Sequence, residues 1–238
     1  MNTYILTTRA GKWAVVAAVV AAFFLGGCRS IQTEARIGSL QGVKKAVEGG
    51  ANVNGKTLMW RLTALHEAAA NGHTDIVRYL IEHGAEVNIR SEGGDTPLHR
   101  AAANGHIKII NILIDNGADV TQHGTGCGTP LQWAARTDQT RAVKCLLDRG
   151  ADPDNKGSRP PFGPLRDAIS YDNPETVELL LAAGADVNAA TDKCSSLHLA
   201  WSSGSVEIGR ILLRRGADPD IECNGRKIPA DFLAKIRN

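Results

Sequence analysis

Aromatic residues are scarce in this sequence, at 5% of 238 residues, too few for one large core packed from rings. Neither sign of charge dominates. The 27 basic and 25 acidic side chains leave a formal net charge of +2, too weak a field to point to nucleic acid or a strongly acidic partner. Five cysteines are an odd number and too few for a disulfide framework. Long apolar runs are also missing apart from one near the start, which excludes a polytopic membrane protein. With 43% apolar and 22% charged residues the chain is not a long disordered one either. There is no glycine-rich phosphate loop and no Gly-x-Ser-x-Gly elbow, and the seven histidines show no metal-ligand spacing. These absences argue against an enzyme and imply no cofactor and no metal. The length admits one or two domains.

What is present begins with a leader. Arg9 and Lys12 precede a run of thirteen apolar residues, from Trp13 to Leu25, and no acid occurs before Glu34. A basic start followed by a short apolar run reads as a secretory signal peptide. The run is short of the about 20 apolar residues that span a bilayer. It ends in Leu25-Gly26-Gly27-Cys28, which resembles a bacterial lipobox with Gly26 where Ala or Ser is commoner. The resemblance implies cleavage before Cys28, a diacylglycerol on its sulfur and a further acyl chain on its amine. An ordinary cleaved signal or an uncleaved anchor is the alternative. Two or more acyl chains hold a protein stably on a membrane, where one is marginal. Arg29 follows the cysteine in place of the Asp that retains such proteins at the inner membrane, so the resemblance favours an outer-membrane anchor facing the periplasm. With the leader removed, the +2 vanishes: 25 basic and 25 acidic residues remain.

The rest of the chain repeats. Gly-Ala pairs begin at Gly50, Gly84, Gly117, Gly150, Gly184 and Gly216, in steps of 34, 33, 33, 34 and 32. Leu65, Leu98, Leu131, Leu165 and Leu197 each stand 19 residues before such a glycine. Around them lie Thr63-Ala64-Leu65-His66, Thr96-Pro97-Leu98-His99, Thr129-Pro130-Leu131-Gln132, Gly163-Pro164-Leu165-Arg166 and Ser195-Ser196-Leu197-His198. Period and signature resemble the ankyrin repeat. The resemblance implies an all-α repeat solenoid, a stack of helix-turn-helix units with β-hairpin fingers, acting as a single monomeric array. The threonines read as N-caps, and Pro97, Pro130 and Pro164 as first helical residues. Gly72, Gly105 and Gly204, with Asp138 and Asp172 in the other units, read as left-handed helix ends. Ile76, Val77 and Leu80, then Ile109, Ile110 and Leu113, mark the buried side of an outer helix. Asn173-Pro174-Glu175 reads as cap, first residue and acidic first turn.

The boundaries follow from the period. Residues 1–27 form the signal peptide and 28–30 the lipidated cysteine and tether. A degenerate unit spans 31–57, and fuller units span 58–90, 91–123, 124–157, 158–189 and 190–222. A truncated, polar capping unit spans 223–238. Only Arg29 and Ser30 separate Cys28 from the first unit, so the array is expected close to the membrane, within about 10 Å of chain.

Candidate sites are few. His66, His99 and His198 belong to the repeat signature, and His73 and His106 follow a turn glycine. All five are expected to hydrogen-bond between loops, and His83 and His123 stand apart. Cys145 aligns with Tyr79, Ile112, Leu179 and Ile211, so a buried apolar filler is expected. Cys127 and Cys194 lie two units apart, about 20 Å, too far to pair. Cys194 and Cys223 lie on adjacent fingers and could bridge outside the cytoplasm, but free thiols are the favoured state. In arrays of this kind the finger tips and the ends of the inner helices form a concave binding face. The residues there are Met59, Trp60, Glu92, Asp95, Thr125, Arg136, Thr137, Arg159, Phe162, Ser170, Tyr171, Asp192, Lys193, Ser202 and Ser203. Trp133 and Trp201 sit beside them. Only seven aromatics follow the leader, and five of them are on or beside this face, where Trp, Tyr and Arg commonly act as hot spots. The alternative is that Trp133 and Trp201 fill space in imperfect units. The proline-rich finger Gly157–Pro164 is either a specialised contact or a tolerated insertion. The function read from these features is binding of a protein partner, as scaffold or inhibitor, at the bacterial envelope. An immunity protein for a secreted toxin and a periplasmic stress-protection factor are the alternatives.

Overall fold

The computed structural model describes residues 29–124, 128–155, 163–188 and 194–237. Among these the chain forms thirteen helices. They are α1 (Ile31–Ile37), α2 (Leu40–Glu48), α3 (Ala64–Ala70), α4 (Thr74–Glu82), α5 (Pro97–Ala103), α6 (Ile107–Asp115), α7 (Pro130–Arg136), α8 (Thr140–Asp148), α9 (Pro164–Ser170), α10 (Pro174–Ala182), α11 (Ser196–Ser203), α12 (Val206–Arg214) and α13 (Ala230–Arg237). Odd-numbered helices α1 to α11 pack on one another in an inner row, and even-numbered helices in an outer row. The terminal helix α13 instead packs on the outer helix α12. Gly209 permits that: a Cβ there would stand 2.8 Å from Ile236 Cγ2 and 3.2 Å from Phe232 Cζ.

The sequence explains why helices form where they do. Ser30, Thr63, Thr129 and Ser205 cap the first turns of α1, α3, α7 and α12 through their side chains. Proline opens α5, α7, α9 and α10, where its missing N–H leaves no bond unmade. Short inner helices end where the chain must turn left-handed, at Gly72 (φ 78°) and Gly105 (φ 68°). Asp138 and Asp172 take the same conformation, at φ 54° and 56°, as short polar side chains tolerate.

One continuous core runs through the stack. Leu65, Leu98, Leu131, Leu165 and Leu197 are buried, as are Ile76, Val77, Leu80, Ile109, Ile110 and Leu113. Burying each such side chain contributes about 1.5–3 kcal/mol before entropy is counted. Ala68-Ala69, Ala101-Ala102 and Ala134-Ala135 are fully buried, and their small size lets inner helices approach closely. The degenerate first unit uses the same scheme with Ile31, Ala35 and Val43.

The fingers form isolated bridges rather than paired strands among the described residues, Gly124 with Gly128 and Cys223 with Arg226, both antiparallel. They are tied to each other by side chains. Asn54 donates to Gly84 O at 3.0 Å and accepts from Glu86 N at 2.8 Å. Asn88 repeats the pattern with Gly117 O and Asp119 N, at 2.8 and 2.9 Å. Asp154 and Asn188 accept from Asp186 N and Asp218 N. Thr121 stands at that position in its own unit and turns back to Asp119 instead, at 2.7 Å.

Three expectations are corrected. Cys194 and Cys223 are joined in a disulfide rather than free, because their neighbouring fingers bring the Cα atoms to 4.4 Å. Cys145 is half-buried rather than buried. It packs beside the core, with Sγ 3.7 Å from Asn111 Oδ1, and burial pushes its thiol up. Asn173 occupies the N-cap position of α10, but its side chain donates to Ala135 O at 2.7 Å in the preceding unit rather than to its own helix. Cys28 and Cys127 lie outside the described residues.

Candidate functional site

The signature histidines are buried and link one unit to the next. In His66, Nδ1 faces Thr63 N at 3.3 Å and Thr63 Oγ1 at 2.9 Å, while Nε2 donates to Asp95 O at 3.1 Å. His99 bonds Thr96 the same way and reaches Gly128 O at 3.1 Å. His198 pairs with Ser195 and reaches Arg226 O at 3.2 Å. A ring that accepts at one nitrogen and donates at the other must be neutral. Burial lowers both His66 and His99 to about 4. His73 and His106 reach back to Arg36 O and Ala70 O, each at 3.1 Å. These five are structural links. Among the described residues no group of three or more His, Cys, Asp or Glu could hold a metal ion.

The central joint uses different chemistry. Gln132 stands where the histidine would be. Its Oε1 accepts from Thr129 N at 3.1 Å and from Asn155 Nδ2 at 2.7 Å. Its Nε2 donates to Asp167 Oδ2 at 3.0 Å. The other oxygen of Asp167 pairs with Arg136 Nε at 3.1 Å. Burial raises the Asp167 carboxyl despite Arg136 and Gln132, which favour its charged form.

The residues assigned to the open face divide into groups. Met59 and Trp60 are exposed on the finger before α3, at 79% and 64%. Tyr171 is exposed at 59% at the end of α9, and Thr137, Ser170, Ser202 and Ser203 are exposed at or near the ends of α7, α9 and α11. Glu92 is exposed, and its N–H donates to Trp60 O at 2.9 Å. Trp133 and Trp201 are half-buried. Each turns an edge to the signature histidine beneath it, Trp133 to His99 at 5.5 Å and Trp201 to His198 at 6.4 Å between centroids. They therefore pack on the stack and keep part of each ring open. Arg136 is half-buried and committed to Asp167. Asp95 is 4% exposed. It accepts from the Ser91 hydroxyl and from Arg100 Nε, the latter at 2.7 Å. Burial raises it, but Ser91 and Arg100 outweigh that and hold it below the usual carboxylate range. Asp95 thus works inside the fold. Arg159, Phe162, Asp192, Lys193 and Thr125 lie outside the described residues.

Sequence reasoning missed the Asn54, Asn88 and Asn188 clamps, although an Asn four residues after Gly50, Gly84 and Gly184 was a readable signal. It also missed Asp167 as the buried partner of Arg136. No periodic signal marks Asp167, because its equivalents are Glu67, Arg100, Trp133 and Leu199.

Known proteins share this architecture. The family model described as "Ankyrin repeats (3 copies)" matches residues 32–124 and 131–223. The ankyrin repeat domain of human ASB11 superimposes with a TM-score of 0.78 at 28% identity, covering 87% of this chain and 98% of that one. The ankyrin repeat and KH domain-containing protein mask-1 of Caenorhabditis elegans is 46% identical over 57 residues, 23% of this chain and 2% of that protein. The 2-5A-dependent ribonuclease of Mus musculus is 38% identical over 60 residues, 25% of this chain and 8% of that protein. The match thus spans only a small part of these curated relatives. Period, caps, core and matched model agree, and the chain belongs to the ankyrin-repeat family.

Proposed function

We propose that this protein binds another protein through its finger-and-inner-helix face while anchored to the bacterial envelope by an acylated Cys28. The observation that carries the binding reading is a division of labour. The leucines, alanines and caps repeat from unit to unit, whereas the position two residues after each leucine changes from Glu67 to Arg100, Trp133, Asp167 and Leu199. Trp133 and Trp201 keep part of each ring open, and Tyr171 is exposed at the end of α9. Aromatics held at such sites are typical anchors of a protein interface. The partner reading admits a scaffold or an inhibitor. An immunity protein would bind one toxin stoichiometrically, and a stress-protection factor would engage several envelope proteins.

The anchor rests on the sequence Leu25-Gly26-Gly27-Cys28 after a thirteen-residue apolar run. The Cys194–Cys223 disulfide supports an address outside the cytoplasm, because such bonds persist in oxidising compartments. Two experiments test the pair of readings. Labelled palmitate should enter the wild-type chain and not Cys28→Ser. The Trp133→Ala, Tyr171→Ala double variant should lose its partner while retaining its helical circular dichroism. Full partner recovery by a folded double variant would overturn the assignment of the face.

A further inference from the structure

The finger before α3 carries three consecutive exposed apolar residues, Leu58, Met59 and Trp60, at 101%, 79% and 64% exposure. They are held outward by construction. Thr57 N donates to Leu62 O at 2.9 Å, and Leu62 N donates to Thr57 Oγ1 at 3.0 Å. That closes the loop at its base and buries Leu62 at 8%, while residues 58–61 project. Arg61 takes a left-handed conformation at φ 50° to complete the turn. The tip is braced against the next finger by Glu92 N to Trp60 O at 2.9 Å and by Lys56 Nζ to Arg90 O at 2.9 Å. The corresponding tips in later units read Ser91-Glu92-Gly93-Gly94 and Asn224-Gly225, which are polar. A braced loop that exposes Leu, Met and Trp in a row marks a site of apolar interaction.

The position of the tip indicates what that environment is. Ser30 caps α1 as Thr63 caps α3. The two caps share a register, so Ser30 stands one repeat, or about 10 Å, from Thr63 at the base of this finger. The same end of the stack is closed by Gln32 Nε2, which donates to Gly55 O of this finger at 2.7 Å. Two residues of chain reach only about 7 Å from Ser30, so an acylated Cys28 brings the bilayer to this finger. The chemistry fits: Trp settles at the headgroup level, and Arg61 adjoins the apolar tip with charge suited to anionic headgroups. Glu92, on the next finger, meets the tip through its backbone N–H to Trp60 O.

We propose that the Leu58–Arg61 tip is a membrane-inserting finger that dips into the headgroup region of the bilayer. It would fix the tilt of the array on the surface so that the remaining fingers face away. This rests on the acylated Cys28 reading, and the test separates the two. The full chain, carrying Trp13→Phe so that leader removal does not alter the signal, is reconstituted into vesicles of phosphatidylethanolamine and phosphatidylglycerol at about 3:1, with or without brominated acyl chains. Mass spectrometry of the N-terminal peptide reads acylation, and tryptophan emission reads insertion. About one third of the emission, that of Trp60, should be quenched by brominated lipid, with Trp133 and Trp201 unaffected. Trp60→Phe should abolish the quenching, and Leu58→Ser should reduce it at least twofold, both with unchanged circular dichroism. An acylated chain whose Trp60 is not quenched overturns the inserting finger and leaves the anchor standing. Quenching of an unacylated chain supports the finger and overturns the anchor. Neither acylation nor quenching overturns both.

Discussion

Between units 58–90 and 91–123, a neutral His66 caps its own helix and donates to Asp95 O, and a carboxylate held by Ser91 and Arg100 closes the next loop. Between units 124–157 and 158–189 the same job falls to Gln132, which joins Thr129, Asn155 and Asp167, with Arg136 beyond. Both joints satisfy their buried polar groups, as burial requires. They differ in what acid does to them. Burial lowers His66 and His99 to about 4, so protonation breaks those joints. Burial raises Asp167, so protonation relieves the charge in the other. A repeat array can thus keep one architecture while its joints respond to pH with opposite sign.

The largest effect should come from acid. His66 and His99 are depressed in the fold, so the unfolded chain binds more protons between pH 6.5 and about 4. The stability they contribute is complete above pH 6.5 and is lost as pH falls through about 4. The combined loss should be on the order of 4 kcal/mol, read from urea unfolding at pH 7 and 4. The His66→Gln, His99→Gln double variant copies the Gln132 joint and should remove most of that slope. Hydrogen exchange at pH 5 should show α3 and α5 losing protection before α7 and α9, and uniform loss would break the contrast between the joints.

The disulfide comes next. Cys223→Ser should cost about 3 kcal/mol under oxidising conditions, with the loss of protection concentrated in α13 and the last finger. Reductant should abolish the difference between variant and wild type. Gln132→Ala removes the partner of the Thr129 N–H and of one Asp167 oxygen, and should cost about 2 kcal/mol at pH 7. The smallest effect belongs to Asp167→Asn. It removes a charge that burial disfavours and leaves Arg136 half-exposed, so stability at pH 7 should change by under about 1 kcal/mol. A loss as large as that of Gln132→Ala would mean that the ion pair, rather than the amide network, holds the central joint.

Much of the fold is legible in the sequence because repetition turns weak local signals into strong ones. One buried leucine is unremarkable, but Leu65, Leu98, Leu131, Leu165 and Leu197 at one offset define a row of helices. Thr63 and Thr129, with the glycines at Gly72 and Gly105, mark the helix ends for the same reason. What the sequence does not show is contact between positions that vary. Arg136 and Asp167 sit where other units carry different residues, so neither announces a buried pair. Asn173 looks like a cap, yet its amide crosses to Ala135 because the preceding helix presents a free carbonyl there. Cys194 and Cys223 lie on neighbouring fingers in any register, and only the path of each finger decides whether their Cα atoms come within bonding distance. Open positions such as Trp133 divide their surface between packing and solvent, a division that spacing alone does not reveal.

The central claim is that the varied face, rather than the outer helices, meets a protein partner. Photo-crosslinking in intact cells tests it most directly, with a photoreactive residue placed either at Tyr171 on that face or at Arg78, exposed on outer helix α4. The account predicts a discrete crosslinked species from position 171 and none from position 78. The same species from both positions, or from position 78 alone, would contradict it.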